Sequence, residues 1–139
     1  MDYHWISGRA AVAYAESIDA SRRLPYLKQA RVHIRHLHRG RTQLTIALGT
    51  ALHAAIQNLT PGSDRKEVLA LLERAVAIAE VSGGLVLAEA ARRWLGEMIG
   101  GRRGEEIRAR SNGWMADQGV QNPARLAHLF APGFRRNGN

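Results

Sequence analysis

Residues 63–101 read SDRKEVLALLERAVAIAEVSGGLVLAEAARRWLGEMIGG, and they indicate the fold class. Apolar residues recur every three or four positions before Gly83-Gly84 and again after it, which is the spacing of two amphipathic helices. Asp64 followed by Glu67 is typical of a helix start, because the first carboxylate accepts an unpaired amide proton and the second reaches back. The glycine pair ends the first helix, so the stretch predicts a helical hairpin.

The same helical spacing extends in both directions along the chain. No run alternates β-branched and aromatic residues between turns, so strands are not expected. Breaks containing glycine or proline divide the chain into helices at about 2–19, 25–39, 42–59, 64–82, 85–99, 104–118 and 122–130. Short loops favour antiparallel neighbours. We expect an all-α fold, a short solenoid of about seven helices in tetratricopeptide-like hairpins, forming one domain over 1–134 with a polar tail at 135–139.

Three glycines lie inside predicted helices at a roughly regular interval. Gly8, Gly49 and Gly96 are 41 and 47 residues apart. Glycine costs about 1 kcal/mol in a helix interior, so its recurrence indicates close approach between packed helices. Tetratricopeptide helices carry a Leu-Gly pair for this reason, with a period of about 34 residues. The pattern favours a degenerate, lengthened form of that repeat.

Composition excludes several classes of protein. The chain contains no cysteine, so disulfides and thiolate metal sites are excluded. Residues 1–8 contain no apolar signal segment, and no stretch has the roughly 18 apolar residues that a membrane span needs. We therefore expect a soluble protein of the cytoplasm without a membrane partner.

The last third of the chain resembles a known sequence type. The segments are GGLVLAEAARRWLGEMIGG at 83–101 and WMADQGVQNPAR at 114–125, followed by FAPGF at 130–134. Together they resemble the C-terminal end of long bacterial signalling proteins, in which a serine/threonine kinase domain or an ATPase module is joined to a tetratricopeptide-like sensor array. The resemblance covers about 69–134. The resemblance implies that this segment ends such an array and that the helix beginning at Asn122-Pro123 closes it. It implies a scaffold role only, without the catalytic function of those proteins.

No enzyme signature is found. The chain has no kinase catalytic loop, no glycine-rich nucleotide loop and no Gly-Lys-Ser/Thr phosphate cradle, so no catalytic residue and no cofactor are predicted. Glu105 and Glu106 are interpreted as helix-start carboxylates, which the helix dipole favours. Ser17, Ser82 and Ser111 lie in no nucleophile motif.

The histidines suggest a metal site only superficially. His33 and His36 have the spacing of two ligands on one helix face, but no acid or cysteine lies nearby and the neighbours are cations. We interpret these histidines as structural or exposed, and we predict no metal.

The positive charge is concentrated in one segment. Of 20 basic residues, seven lie between Arg22 and Arg41 without a single acid, which leaves 13 basic and 12 acidic residues elsewhere. Helical spacing places Lys28, Arg31, Arg35 and His38 on one line, extended by Arg39 and Arg41. The line is either a solvated outer face or a contact for an acidic protein segment or for nucleic acid phosphates. The basic segment contains no recognition-helix motif, and no aromatic residues are interleaved with its cations. It therefore lacks the features that would favour nucleic acid as the partner.

The first helix carries the second candidate surface. Its apolar stripe is Ile6, Ala10, Ala13 and Tyr14, and Tyr3, Trp5 and Ile6 form an open N-terminal face without a polar cap. In contrast to Trp94 and Trp114, which we expect in helix packing, Trp5 is predicted to be exposed. This face could contact a partner, parent signalling domains or another copy of the chain.

These features predict a non-catalytic protein–protein interaction scaffold in bacterial signalling or regulation. Its predicted binding residues are Lys28, Arg31, Arg35, His38, Arg39, Arg41, Tyr3, Trp5 and Ile6. The alternative is a nonspecific nucleic-acid-binding accessory protein that uses the basic helix.

Overall fold

The computed structural model describes residues 2–135 and is all-helical over that range. Residues 136–139 of the predicted polar tail lie outside the described residues. The helices are α1 (Tyr3–Ser17), α2 (Leu24–His38), α3 (Gln43–Leu59), α4 (Arg65–Val81), α5 (Leu85–Ile99), α6 (Gly101–Asp117) and α7 (Pro123–Phe130), with a short 3₁₀ turn at Ala20–Arg22 between α1 and α2.

The helices pack as consecutive hairpins. The pairs α1–α2, α3–α4 and α5–α6 make the most extensive contacts, α2 then packs on α3 and α4 on α5, and α7 packs against α5. The prediction of an all-α array of helical hairpins is confirmed. Across residues 2–135, none of the helices combines the length and the apolar character that spanning a bilayer requires.

Local chemistry explains where the helices of the central hairpin begin and end. The Asp64 carboxylate accepts the amide of Lys66 at 2.9 Å and starts α4. Gly83 adopts φ +78°, and the Gly84 amide then donates to the Ala79 carbonyl at 2.8 Å. This bond over six residues is a Schellman ending, which glycine permits because it has no Cβ.

The start of α6 was predicted three residues too late. Gly100 and Gly101 have φ of +66° and +60°, so the chain reverses within two residues and α6 begins at Gly101. Gly104 therefore lies inside α6, where a Cβ would meet the Gly96 carbonyl oxygen at 2.2 Å. The backbones of α5 and α6 approach each other at this glycine pair.

The three glycines are not equivalent positions of a repeat, although each lies at a close helix contact. Gly96 faces the backbone of α6, its own hairpin partner. Gly8 faces His33 of α2 and also Leu52 of α3, whereas Gly49 faces Leu37 and His38 of the preceding hairpin. The close-approach interpretation is correct, and the regular spacing is not reproduced by the packing.

The core is rich in alanine, which lets the helices approach closely. From α1 it takes Trp5, Val12 and Ala15, which lie on the side opposite to the apolar stripe predicted for that helix. Trp94 is buried as expected, whereas Trp114 is half-buried.

Candidate interaction surfaces

The predicted basic line is present on α2 and is accessible. Lys28, Arg35, His38 and Arg39 are exposed, Arg41 is exposed just beyond the helix, and Arg31 is half-buried. No acidic residue occurs in the chain between Asp19 and Asp64. Within residues 2–135, accordingly, none of these lysine and arginine side chains forms an ion pair.

Packing adds two residues to this line. The ring centroids of His38 on α2 and His53 on α3 are 6.2 Å apart, and Arg74 on α4 is close enough to act electrostatically on His38. We define the basic face as Lys28, Arg31, Arg35, His38, Arg39, His53 and Arg74. Spacing along α2 cannot reveal His53 and Arg74, because they come from other helices.

The histidines of the basic face report its electrostatics. Burial lowers the pKa of His38, and Arg74 lowers it further. The pKa of His53 is also lowered by burial and then by the positive neighbours His38 and Arg31, with Glu67 acting weakly in the opposite direction. The lowered pKa values favour the neutral forms of His38 and His53, so the positive charge of this face comes from its lysine and arginine side chains.

One glycine positions His38. A Cβ on Gly49 would lie 2.9 Å from His38 Cδ2 and 3.0 Å from Leu37 Cβ. The missing side chain lets α2 lie directly on α3 and sets the His38 ring against that helix. The close approach thus carries the end of α2 toward His53.

The arginines of α5 have a different environment. Arg92 pairs with Glu80 and Glu89. Arg93 lies 3.6 Å from Glu97, which is also 3.6 Å from Arg108 of α6. These cations are neutralised within the fold, so they form no continuation of the basic face.

The N-terminal face is only partly as predicted. Tyr3 and Ile6 are 69% and 47% exposed, but Trp5 is 6% exposed. The prediction of an exposed Trp5 is wrong, because helical geometry turns position 5 toward the core, where its ring lies 5.9 Å from that of Phe130 on α7. Trp5 is removed from the set of accessible contacts.

The outward side of α1 is apolar. Ile6, Ala10 and Tyr14 are exposed and Ala13 is half-buried, so the apolar stripe predicted on that helix faces solvent together with Tyr3. Tyr14 packs edge-on against Tyr26 of α2, with centroids 4.6 Å apart. We call Tyr3, Ile6, Ala10 and Tyr14 the α1 stripe.

The fold does not join the α1 stripe and the basic face into one surface. His33 and His36 of α2 contact His4 of α1, whereas Arg31 and His38 point toward α3 and α4. Arg31 and His38 thus lie on the side of α2 that faces away from α1. The two parts of the predicted binding site are separate.

A histidine cluster between α1 and α2 was not anticipated. His4 Nδ1 is 3.1 Å from His33 Nδ1, and the His4 ring stacks on His36 with centroids 4.1 Å apart. Burial lowers the pKa of His33, followed by the charges of His4 and His36. In the described part of the chain, no group of three or more ligand side chains could hold a metal ion.

Ser111 and Glu106, two of the residues weighed for catalysis, make contacts within the fold. Ser111 is buried and its hydroxyl donates to the Glu89 carbonyl at 2.7 Å, which ties α6 to α5. Glu105 and Glu106 are not in the first turn of α6, because that helix begins at Gly101. Glu106 instead lies 3.5 Å from the exposed Arg102 side chain.

Comparison with known protein families, with curated protein sequences and with solved structures found no match to this chain.

Proposed function

We propose that this chain is a non-catalytic interaction scaffold that binds an acidic segment of a protein partner through the basic face. The observation that carries the proposal is a helix whose lysine and arginine side chains have no ion-pair partner within residues 2–135. Its place in bacterial signalling rests on the sequence resemblance alone.

The spacing of the cations suits a partner segment with several carboxylates. From Lys28 to Arg39 the helix rises by roughly 16 Å at 1.5 Å per residue. Complementary charge increases the association rate and aligns the partner along such a line, with an effect that added salt weakens. Because the cations lie on one helix, its backbone is already ordered before binding, and only their side chains must be ordered on this side of the contact.

A protein partner is favoured over nucleic acid by the surroundings of the cations. Single-stranded nucleic acid is held by aromatic rings interleaved with positive charge. The nearby ring of Tyr26 packs against Tyr14 on α1, so it is turned away from the basic face. The basic face can therefore offer phosphate contacts without a stacking platform.

Fluorescence anisotropy with a labelled peptide of alternating glutamate and alanine, and with labelled single-stranded and duplex DNA, tests this proposal. Replacing Lys28, Arg31 and Arg35 together by alanine is expected to weaken peptide binding by at least about tenfold, which corresponds to about 1.4 kcal/mol. The matched control replaces Arg102, Arg103 and Arg110 of α6, which removes the same formal charge from another exposed helix.

Two results would overturn the proposal. An equal loss of affinity in the control would show that total charge, and not the basic face, attracts the peptide. Binding to DNA that is much tighter than to the peptide, with affinity falling steeply as salt rises, would favour the nucleic-acid alternative.

A further inference from the structure

The α1 stripe is bordered by an uncharged line of residues on α2. His36 stacks on His4 of α1 with ring centroids 4.1 Å apart, so that side of α2 lies next to α1. Gln29, Val32 and His36 follow one another at spacings of three and four residues, and all three are exposed. We call these three residues, together with the α1 stripe, the outer face of the first hairpin.

The charged side chains of α1 are turned away from the outer face. Arg9 and Glu16 are the residues of α1 that carry a formal charge. Arg9 Nε donates to the Leu129 carbonyl on α7, and Glu16 Oε1 lies 2.7 Å from His128 Nε2 on the same helix. Both charges of α1 are therefore used toward α7, and the α1 stripe is left uncharged.

An uncharged apolar surface is unusual on a chain with a formal net charge of +8. Tyr3, Ile6 and Tyr14 are 69%, 47% and 47% exposed, and Val32 on α2 is 44% exposed. Large apolar side chains that are exposed next to one another indicate a contact site. The α1 stripe offers no cation to an acidic peptide, a phosphate backbone or an anionic membrane, so a charged partner is not favoured there.

The α1 stripe is arranged symmetrically about Ala10. Ile6 precedes this alanine by four residues and Tyr14 follows it by four. If two antiparallel copies of α1 cross at Ala10, Ile6 of each copy meets Tyr14 of the other. The small central side chain lets the helices approach, and the larger side chains on both sides fill the space beside the crossing. This reciprocal pairing is the property that a two-fold symmetric interface requires.

We propose that the outer face of the first hairpin binds the same face of a second copy of this chain, with the two α1 helices antiparallel and crossing at Ala10. The two α1–α2 hairpins then form a four-helix bundle. Hairpins within the chain already pack on one another through α2–α3 and α4–α5. Arg31 and His38 point toward α3 and α4, so the inference does not depend on the basic face or on the function proposed above.

The size of the outer face suits a reversible dimer. Both α1 and α2 contain 15 residues. Two such helices side by side are about 22 Å long and about 20 Å wide, which gives roughly 440 Å² on each copy. A stable interface of standard size buries about 800 Å² on each partner. We therefore expect a dimer that forms at micromolar concentrations and dissociates on dilution.

Sedimentation velocity of the full chain at about 1 to 200 µM, in about 50 and 500 mM salt, tests the proposal. The fraction of dimer should rise with protein concentration. It should also be larger at the higher salt concentration, because salt screens the repulsion between two copies that each carry a net charge of +8.

A charge at the crossing point is the most direct variant. Ala10→Arg brings two like charges together and should weaken the dimer by at least about tenfold. Ala109→Arg is the matched control, because it makes the same change at an exposed position of α6, and it should dimerise as wild type does. Ala10 is also exposed, so both variants should keep the helical content of wild type in circular dichroism.

Two further substitutions test the antiparallel crossing. Ile6→Glu and Tyr14→Lys should each weaken the dimer, because each places a charge against an apolar side chain. When both are made in one chain, the new carboxylate of each copy meets the new ammonium of the other, so the dimer should be several-fold tighter than with either change alone. Within one copy these positions are about 12 Å apart along the helix, too far to pair.

The proposal is overturned if wild type remains monomeric over the whole concentration range at both salt concentrations. It is also overturned if Ala10→Arg and Ala109→Arg weaken the dimer equally, because the contact would then lie elsewhere. A dimer that weakens as salt rises would indicate a contact between opposite charges and would exclude the outer face. A double variant no tighter than the single ones would exclude the antiparallel crossing at Ala10.

Discussion

The first hairpin (α1–α2) and the third hairpin (α5–α6) both carry several arginines, but they differ in whether those arginines form ion pairs. In the α5–α6 hairpin both arginines of α5 are paired with glutamates, and Glu97 joins Arg93 to Arg108 across the two helices. In the α1–α2 hairpin the cations of α2 have no such partners within the described residues. Charge stabilises the fold in the third hairpin and remains available for contacts in the first.

The same two hairpins also differ in how tightly their helices approach. Gly96 and Gly104 bring backbone against backbone between α5 and α6. Gly8 of α1 instead faces side-chain atoms of His33 and Leu52, at 3.2 and 3.3 Å from the position of a Cβ. A backbone contact cannot yield without separating the helices, whereas side chains can shift. The third hairpin is thus the less tolerant of an added side-chain atom at its close contact.

The largest effect that separates the hairpins is expected at Gly104. Gly104→Ala places a Cβ 2.2 Å from the Gly96 carbonyl oxygen and should destabilise the protein by about 2–3 kcal/mol in urea unfolding. Gly8→Ala should change stability by less than about 1 kcal/mol, because the gain in helix propensity offsets a small clash. If the two substitutions cost the same, the distinction between the backbone contact at Gly104 and the side-chain contact at Gly8 is wrong.

Gly113→Ala is the control for this comparison, since it lies in the same helix as Gly104. A Cβ there meets nothing within 4 Å and the residue is exposed. The substitution should stabilise the protein by about 0.5–1 kcal/mol, because alanine favours the helix and restricts the unfolded chain.

An intermediate effect is expected from acid, and it should arise in the N-terminal half. Folding lowers the pKa of His33, His38 and His53 below the ordinary value of 6.5. The unfolded chain therefore binds more protons than the folded protein at mildly acidic pH. Stability is fully present above about pH 6.5 and is lost as pH falls toward the lowered values.

Melting temperatures at pH 7.5 and pH 5.5 check this dependence. Changing all three histidines to glutamine should reduce the fall in melting temperature between the two values. The charged groups that face them are His4 and His36 for His33, Arg74 for His38, and His38, Arg31 and Glu67 for His53. If the melting temperature of the variant falls as much as that of wild type, groups other than these three histidines cause the loss of stability in acid.

The smallest effect concerns the ion pairs themselves. Glu97→Gln removes the partner of both Arg93 and Arg108 and should cost about 0.5–1 kcal/mol at low salt, since all three side chains are partly exposed. Arg35→Ala on α2 should change stability by less than about 0.5 kcal/mol. Urea unfolding at 20 and 500 mM salt measures both costs. The loss of unfolding free energy caused by Glu97→Gln should be smaller at 500 mM salt, whereas that caused by Arg35→Ala should be the same at both concentrations.

Much of the fold could be predicted from the sequence because its helix boundaries are encoded locally. Asp64 starts α4 and Gly83-Gly84 ends it, as the hairpin at 63–101 indicates. The start of α6 was misplaced, since a tight turn at Gly100 and Gly101 needs fewer residues than the glycine-rich stretch offers. Local signals locate a break better than they locate its exact length.

The candidate surfaces were predicted less completely, for reasons of packing. The α2 cations were found because helical spacing places them on one line. Trp5 was misassigned because α1 is apolar on two sides, and periodicity does not state which side meets the next helix. His53 and Arg74 are distant along the chain and reach the basic face only through the contacts of α2 with the second hairpin.

The sequence by itself determined the helical class, the breaks between helices and the concentration of positive charge before Arg41, because each depends on neighbouring residues. Tertiary structure alone decided that Tyr3, Ile6 and Tyr14 face outward and that residues 131–134 are buried against α1, α3 and α5. Those outcomes depend on which apolar surfaces the hairpins bury against one another. That choice is made by shape and close approach between distant parts of the chain.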